Sequence, residues 1–347
     1  MFFPLRVFGG KKGFLGLDIG SYALKMAEAH QKGASLVVTS FGQVRLPPDT
    51  VVEGTIKDPE RFWEAFNRLW QNLKPRSKQL NLGLYAYTTF YDRIPLGFVE
   101  AEDFDQAVLS EIESFVPFDI EDIYIDYVPI LKEENKYEIV FATAKKEQVD
   151  ALLELFSASP FRINAIDVDV FAVANLFEYL YGPRARMIID IGFSKTLVIF
   201  TDKFGPLFSR EFNYGLGYVT RNIAQELDIP LEEAERLQFS PPEDERGYAI
   251  REIYTEFLRN LVEEIENSHN IFKGKYYFAP DEGFVIGGGS NIPGIKEFLK
   301  EQLKMDIQEP ELNTKIRFAK NFDPEYQRLV GLTGFTAVAQ AIREFIA

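Results

Sequence analysis

The sequence contains no cysteine and only two histidines among its 347 residues. The lack of cysteine excludes thiol nucleophiles, disulfide bonds and metal sites with cysteine ligands. His30 and His269 have no recognisable partner in the sequence, so each is interpreted as an ordinary polar residue of the core or surface. Any chemistry must therefore rest on carboxylates, lysines, hydroxyl groups and backbone amides.

Positive charge is also scarce, because 38 Lys and Arg residues face 53 Asp and Glu residues, giving a formal net charge of -15. Such a surface repels phosphate backbones, so nucleic acid is not expected as a partner. No stretch approaches the roughly 20 apolar residues that a membrane span requires, and Pro4, Arg6 and Gly9 interrupt the short N-terminal leader. We expect a cytoplasmic protein.

What the sequence does contain is a repeat. Asp-Ile-Gly occurs at Asp18–Gly20 in "FLGLDIGSYALK" and at Asp190–Gly192 in "MIIDIGFSKTLV". In both places an apolar strand is expected to end in Asp, turn at Gly and return as a second apolar strand. A third strand and then a helix follow in each half, so the sequence predicts a duplicated α/β fold with two domains.

Each Asp-Ile-Gly turn is suited to phosphate, since glycine permits positive φ and leaves the backbone amides uncovered. Two such tips across a cleft would hold a polyphosphate, with Asp18 and Asp190 binding Mg²⁺ mostly through its waters. Lys25 is expected to face the phosphates, whereas Lys195 is expected at the surface. A single copy would be interpreted as a plain hairpin turn. The second copy favours two opposed turns that bind phosphate.

A glycine run forms the third feature. In "FVIGGGSNIPGIKEFL", an apolar strand leads into Gly287, Gly288 and Gly289, and a helix is expected directly afterwards. Bare glycines let flat ligand atoms lie on the backbone, and a helix N-terminus favours anions. The fixed order of the two turns and the glycine run is more specific than any one of them.

These motifs resemble those of the actin-like ATPase superfamily: "DIGSYALK" and "DIGFSKT" resemble its two phosphate motifs and "GGGSN" its adenosine motif. Glu235 in "AERLQ" matches a glutamate beside the base and ribose in relatives, although Gln238 stands where many of them have lysine. The resemblance implies ATP and Mg²⁺ as cofactors, with at most weak ATPase activity. The residues expected to contact nucleotide are Asp18, Gly20, Ser21, Lys25, Asp190, Gly192, Glu235, Gly287, Gly288, Gly289 and Ser290.

Within that superfamily, "LGLDIGSYALKMAE", "LPPDTVVEGTIKDPE" and "EIESFVPFDIEDIYIDYVPI" resemble the PilM family of type IV pilus assembly proteins. The resemblance implies an actin-like (ribonuclease H-like) duplicated two-domain fold with an inserted α/β subdomain of the FtsA and PilM type. The expected divisions are 1–93 for the first core, continued at 162–183 and 331–347; 94–161 for the inserted subdomain; 184–215 for the second core, continued at 276–330; and 216–275 for its smaller lobe.

The same resemblance implies a function. It predicts an ATP-binding cytoplasmic adaptor at the inner face of the inner membrane. The adaptor would bind the N-terminal cytoplasmic tail of PilN and contact other platform proteins, and it would reach the membrane only through these partners. Self-association is a further option. The tail would lie in a groove between the first core and the inserted subdomain. The stretch "FVPFDIEDIYIDY" either borders that groove or contributes its aromatic residues to the core.

Two alternatives remain open at this point. One is an FtsA-like protein that tethers a membrane or forms filaments. The other is an actin-fold sugar kinase, which would need a carboxylate base near the γ-phosphate. Asp167 and Asp169 in "IDVDVF" are the candidate catalytic residues for that reaction, although either could equally be a solvated charge or a metal–water contact.

Overall fold

The structure is a computed structural model and describes residues 13–85, 89–97, 100, 102–133 and 136–346. The leader expected within 1–12 lies outside these ranges. The strands are β1 (Gly13–Ile19), β2 (Ala23–Lys32), β3 (Ser35–Arg45), β4 (Val51–Val52), β5 (Thr55–Ile56), β6 (Gln79–Leu84), β7 (Thr89–Gly97), β8 (Ile123–Glu133), β9 (Lys136–Lys145), β10 (Arg162–Val168), β11 (Arg186–Ile191), β12 (Thr196–Asp202), β13 (Gly205–Phe212), β14 (Glu282–Ile286), β15 (Asp306–Gln308) and β16 (Ile316–Phe318). The helices are α1 (Pro59–Leu73), α2 (Phe104–Phe115), α3 (Lys146–Ser157), α4 (Asp169–Tyr181), α5 (Leu216–Leu227), α6 (Leu231–Phe239), α7 (Glu245–Tyr276), α8 (Ile295–Leu303), α9 (Pro324–Leu332) and α10 (Phe335–Ile346).

Two sheets repeat one topology. The first has the order β3-β2-β1-β6-β10, with β16 added beside β3, and the second has the order β13-β12-β11-β14-β15. In each sheet the first three strands are antiparallel and the last two run parallel to the central strand. The duplication predicted from the two Asp-Ile-Gly turns is therefore present in the strand order of the whole fold.

Helices cover both faces of each sheet. The core between the two sheets contains α4 and α10, the outer face of the first sheet carries α1, and that of the second carries α5, α7 and α8. Helix α1 begins at two residues that favour a helix start. Asp58 caps the helix by accepting a hydrogen bond from the Arg61 amide at 3.0 Å, and Pro59 occupies the first turn. The apolar stripe of α7, including Phe257, Leu261 and Ile265, is buried in the core of the second domain.

Helix α10 lies directly against the central strand of the first sheet. A Cβ at Gly16 would stand 2.0 Å from the carbonyl oxygen of Ala337 and 2.3 Å from the amide nitrogen of Ala341. Real side chains do not approach a backbone this closely, so only glycine lets α10 pack here. Gly16 lies two residues before Asp18, and α10 therefore supports the strand that carries the first phosphate-type turn.

The inserted unit is a three-stranded antiparallel sheet of order β7-β9-β8 with α2 on one face. It is joined to the second domain by Arg93 of β7, whose guanidinium donates to both carboxylate oxygens of Asp202 at 2.7 and 2.8 Å. Two backbone carbonyls, of Gly205 and Pro206, accept further hydrogen bonds from the same group. The unit thus contacts the β12–β13 turn as well as the first domain.

Two details of the strands differ from the sequence expectations. Strand β7 begins at Thr89, so the inserted sheet starts before the expected division at 94. Strand β16 pairs with β3, which places part of 276–330 in the first sheet. By length and composition no helix in the described ranges could span a membrane alone, and α9 with α10, bent by 85°, is the one pair that together could.

Candidate functional site

The two hairpin tips have the same backbone turn. The Gly20 amide donates to the carbonyl of Ala23 at 3.1 Å, and the Gly192 amide donates to the carbonyl of Lys195 at 2.9 Å. A Cβ at Gly20 or Gly192 would lie 2.9 or 2.8 Å from that same acceptor oxygen, which a real side chain could not do without moving the backbone. The close approach within the turn explains why glycine stands at both positions.

A cavity of about 350 Å³ lies between the two tips. This volume falls within the usual range for small-molecule sites. The structure brings most of the predicted residues together on its wall, namely Asp18, Gly20, Ser21, Lys25, Asp169, Asp190, Gly192 and Gly288.

Two ion pairs lie on the cavity wall. Lys25 lies opposite Asp18 in the β1–β2 register, and its Nζ is 2.8 Å from Asp18 Oδ2. Lys195 Nζ is 2.8 Å from Glu211 Oε1 and 4.2 Å from the centre of the Tyr85 ring. The expectation of a surface position for Lys195 was therefore wrong, because its side chain is only 14% exposed and points into the cavity.

Acidic groups outnumber basic ones in the cavity, since four carboxylates face two ammonium groups among its lining residues. Burial raises the pKa of Asp190 to about 6, against the attraction of Lys25 and with added repulsion from Asp18. Burial, together with the charge of Asp18, raises the pKa of Asp169 well above its ordinary value. Burial opposes the charge on Lys25, but the attraction of Asp18 outweighs it and raises the pKa of Lys25.

The two catalytic candidates have different surroundings. Asp169 begins α4 on the cavity wall and accepts a hydrogen bond from Gln340 Nε2 of α10 at 3.1 Å. Gly83 of β6 leaves room for it, because a Cβ there would stand 1.8 Å from Asp169 Oδ1. Asp167 instead lies away from the cavity, paired with Arg343 Nε at 2.7 Å. Of the pair, Asp169 alone can face a ligand in the cavity.

The glycine run packs closely against the end of β11. A Cβ at Gly287, whose φ is +86°, would lie 2.2 Å from Asp190 Oδ1, and one at Gly289 would meet the Ile191 side chain at 2.2 Å. Ser290 is buried and donates to the Gly287 carbonyl at 2.6 Å. Gly288 reaches the cavity. The run forms a short 3₁₀ turn, and α8 begins only at Ile295, so the helix expected directly after the glycines starts later.

Glu235 lies outside the set that lines the cavity. Its carboxylate accepts the hydroxyl proton of Tyr22 and pairs with Arg45 at 2.6 Å, so it contacts the first domain from the second. Gln238, which departs from the lysine of relatives, is buried and accepts from Thr220. The structure thus gives Glu235 partners that its sequence context did not indicate.

Sequence reasoning also missed several cavity residues. Glu211 lies opposite Leu197 on β13, and Tyr85 follows the end of β6. Alternation along "PLFSREFNYG" could have indicated which side chains of β13 share the face of the turn. Among the described residues, no group of three or more His, Asp or Glu side chains is arranged to hold a metal ion by itself.

A family model described as type IV pilus assembly protein PilM matches residues 16–345. The chain belongs to the PilM family. Its role is therefore in type IV pilus assembly, as the sequence predicted.

Solved structures show the fold of this PilM-family protein. A PilM–PilN type IV pilus biogenesis complex is similar over 95% of this chain and 97% of that one, at 23% identity and a TM-score of 0.82. The ethanolamine utilization protein EutJ from Carboxydothermus hydrogenoformans matches over 96% and 90%, at 12% identity and 0.55. MreB5 of Spiroplasma citri, bound to ADP, matches over 96% and 97%, at 11% identity and 0.53. The predicted actin-like fold is confirmed.

Proposed function

We propose that the cavity binds ATP with Mg²⁺ and that the protein acts as a nucleotide-binding adaptor in type IV pilus assembly. One observation carries the proposal: two turns with the same backbone hydrogen bond face each other across one cavity. Each turn follows a central strand that has an aspartate near its end. The MreB5 structure with a similar fold is bound to ADP, which supports a nucleotide here.

The residues of the cavity fit a magnesium–nucleotide complex. Asp18 and Asp190 would hold Mg²⁺, and Lys25 would face the phosphates. A buried carboxylate whose pKa is raised to about 6, as at Asp190, lacks a full counter-charge, and a divalent cation would supply one. Mg²⁺, when bound, would neutralise phosphate charge, and the chain's own groups would orient the phosphates.

The nucleotide proposal is tested by isothermal titration of the protein with ATP, with and without Mg²⁺. Asp18→Asn and Asp190→Asn keep side-chain shape but remove one charge, and each should weaken Mg–ATP binding about tenfold or more. Asp167→Asn is the matched control, since Asp167 lies outside the cavity beside Arg343, and it should bind as the wild type does. Absence of binding to the wild type, or wild-type affinity in both cavity variants, would overturn the proposal.

The second half of the proposal concerns the partner. We infer that the inserted unit takes the N-terminal cytoplasmic tail of a PilN-type protein, which would keep the adaptor at the inner face of the inner membrane through partners. Within the described ranges β8 pairs with β9 alone, which leaves its outer edge able to accept an extended peptide. The similar PilM–PilN complex supports the choice of partner.

The exposed face of β8 suits such a peptide. Tyr124 and Val128 share one face of the strand and are 45% and 54% exposed. The Tyr124 hydroxyl donates to Asp150 of α3 at 2.9 Å, so this face adjoins the helix that leads back to the first domain, where Leu153 is also exposed. Of the aromatic residues in "FVPFDIEDIYIDY", Phe115 and Tyr124 are exposed, whereas Tyr127 packs against the core of the inserted unit.

Partner binding is tested by fluorescence anisotropy with a labelled synthetic PilN-type tail. Val128→Asp should weaken binding about tenfold or more, because it puts a charge on an apolar contact surface. Val52→Asp makes the same change at an exposed valine elsewhere and should leave binding unchanged. If the tail fails to bind, or if both variants bind it as the wild type does, the partner proposal is wrong.

A further inference from the structure

The two hairpin tips touch each other over the mouth of the cavity. Ser21 Oγ lies 2.8 Å from Ser194 Oγ, and the Tyr22 ring stacks on Phe193 with centroids 4.6 Å apart. All four residues line the cavity. A ligand that extends between the tips therefore has to separate these contacts.

A third contact bridges the same mouth from the smaller lobe. Glu235 of α6 accepts the hydroxyl proton of Tyr22 with one carboxylate oxygen and pairs with Arg45 through the other at 2.6 Å. The Arg45 guanidinium also lies 5.5 Å from the centre of the Tyr22 ring, so the three side chains contact one another. We refer to Tyr22, Arg45 and Glu235 as the latch.

The latch joins two bodies that each have their own core. Arg45 ends β3 of the first sheet and Tyr22 lies at the β1–β2 tip. Glu235 follows Ala234, which is buried in the second core with the neighbouring helices. Because Glu235 is fixed to the second domain and its partners to the first, the cleft cannot widen here without breaking both bonds.

The chemistry of the latch keeps it closed near neutral pH. Burial and the bond to Glu235 raise the pKa of Tyr22 to about 12, so its hydroxyl keeps the proton that it donates. The Glu235 side chain is only 13% exposed, which reduces screening of its ion pair, while Arg45 is 46% exposed and open to solvent on one side. The closed contact is thus stable but not deeply buried, as a reversible closure requires.

We propose that Tyr22, Arg45 and Glu235 form a latch across the cleft whose opening limits the entry and release of nucleotide. The kinetic part of this inference rests on the proposed nucleotide binding; the closure itself does not. It gives Glu235 a gating role that its sequence context did not indicate.

The kinetic test uses stopped-flow release of a fluorescent ATP analogue with Mg²⁺. Glu235→Gln removes the charge and Arg45→Met removes the guanidinium, and each should speed release about 5- to 30-fold, as expected for the loss of one partly buried charged contact. Arg236→Met, an exposed residue next to Glu235 on the same helix, is the matched control and should release at the wild-type rate. Glu235→Arg should open the latch, and adding Arg45→Glu should restore slower release.

A second test needs no nucleotide. Because the chain has no cysteine, spin labels can be placed at Arg68→Cys on α1 and Glu232→Cys on α6, both exposed. Pulsed electron paramagnetic resonance should give one narrow distance distribution when Glu235 is kept, and a longer or broader distribution once Glu235→Gln is added. An unchanged distribution would overturn the latch.

The two proposals fail in different ways. If the wild type binds no nucleotide, the proposed function is wrong and the label distances alone decide the latch. If nucleotide binds but Glu235→Gln and Arg45→Met release it at the wild-type rate, the latch is wrong and the proposed function stands.

Discussion

Replacing Asp190 with asparagine should stabilise the protein near neutral pH while weakening the proposed Mg–nucleotide binding. Burial, together with the neighbouring charge of Asp18, raises the pKa of Asp190 from its ordinary 3.8 to about 6. A carboxyl group whose pKa is higher in the folded state than in the unfolded state lowers the free energy of unfolding whenever it is ionised. Asparagine has a similar shape and carries no charge at any pH, so it removes this penalty.

The sign and size follow from proton linkage. Between about pH 4 and pH 6 the folded state binds the Asp190 proton more tightly than the unfolded state does, so the wild-type free energy of unfolding falls as the pH rises through that window. The difference between 3.8 and about 6 corresponds to about 3 kcal/mol once Asp190 is fully ionised. Roughly half of the advantage of Asp190→Asn should be present at about pH 5 and nearly all of it at about pH 7.5.

The difference in the free energy of unfolding between Asp190→Asn and the wild type can be measured at these two pH values by urea unfolding. Circular dichroism reports the unfolding, and no nucleotide is added. Asp281→Asn serves as the control, since Asp281 is exposed and the same change there should leave the free energy of unfolding nearly unaltered at both pH values. The reasoning fails if Asp190→Asn is no more stable than the wild type at about pH 7.5. It also fails if the gain is equal at both pH values, because a shape effect would not depend on pH.

Two further predictions concern packing and the inserted unit. Gly16→Ala should destabilise the protein by about 1–3 kcal/mol in urea unfolding, because its Cβ would overlap the backbone of α10. Gly274→Ala is the control: it lies in open space on α7 and should stabilise the protein by about 0.5–1 kcal/mol. A loss of stability at both positions, or at neither, would contradict the packing argument. Arg93→Met should cost about 3 kcal/mol, since it leaves Asp202 without its bidentate partner. Hydrogen exchange should then speed up in β7 and at the β12–β13 turn, and unchanged protection there would show that Arg93 does not hold the inserted sheet.

The repeated features of this chain were predictable because their signals are local. An apolar strand, an Asp, a tight Gly turn and a returning strand lie within about twelve residues, and each strand pair forms between neighbours in the sequence. The start of α1 is likewise determined locally, by the capping Asp58 and by Pro59 in the first turn. For these elements the sequence expectation and the structure agree in type, order and approximate position.

The features that were missed depend on residues far apart in the sequence. Strand β16 has only three residues and pairs with β3 some 280 positions earlier, so no local pattern could indicate it. Lys195 was expected at the surface because its partners, Glu211 of β13 and Tyr85 after β6, lie elsewhere in the sequence. Likewise, nothing near Glu235 in the sequence shows that it reaches Arg45. Side-chain partners across a cleft follow from tertiary packing and not from periodicity.

The closed tips and the acidic cavity have one physical cause in common. With four carboxylates and two ammonium groups, the cavity is unfavourable for a bare polyphosphate. Burial raises the pKa of Asp169 and of Asp190 and so favours their uncharged forms. Contact between the tips covers part of the cavity and so contributes to that burial. Mg²⁺ carried in with the nucleotide would supply the missing positive charge at the moment when the tips separate to admit the phosphates. We would then expect one coupled step, in which the cleft opens, the cavity carboxyl groups release protons and the cation binds.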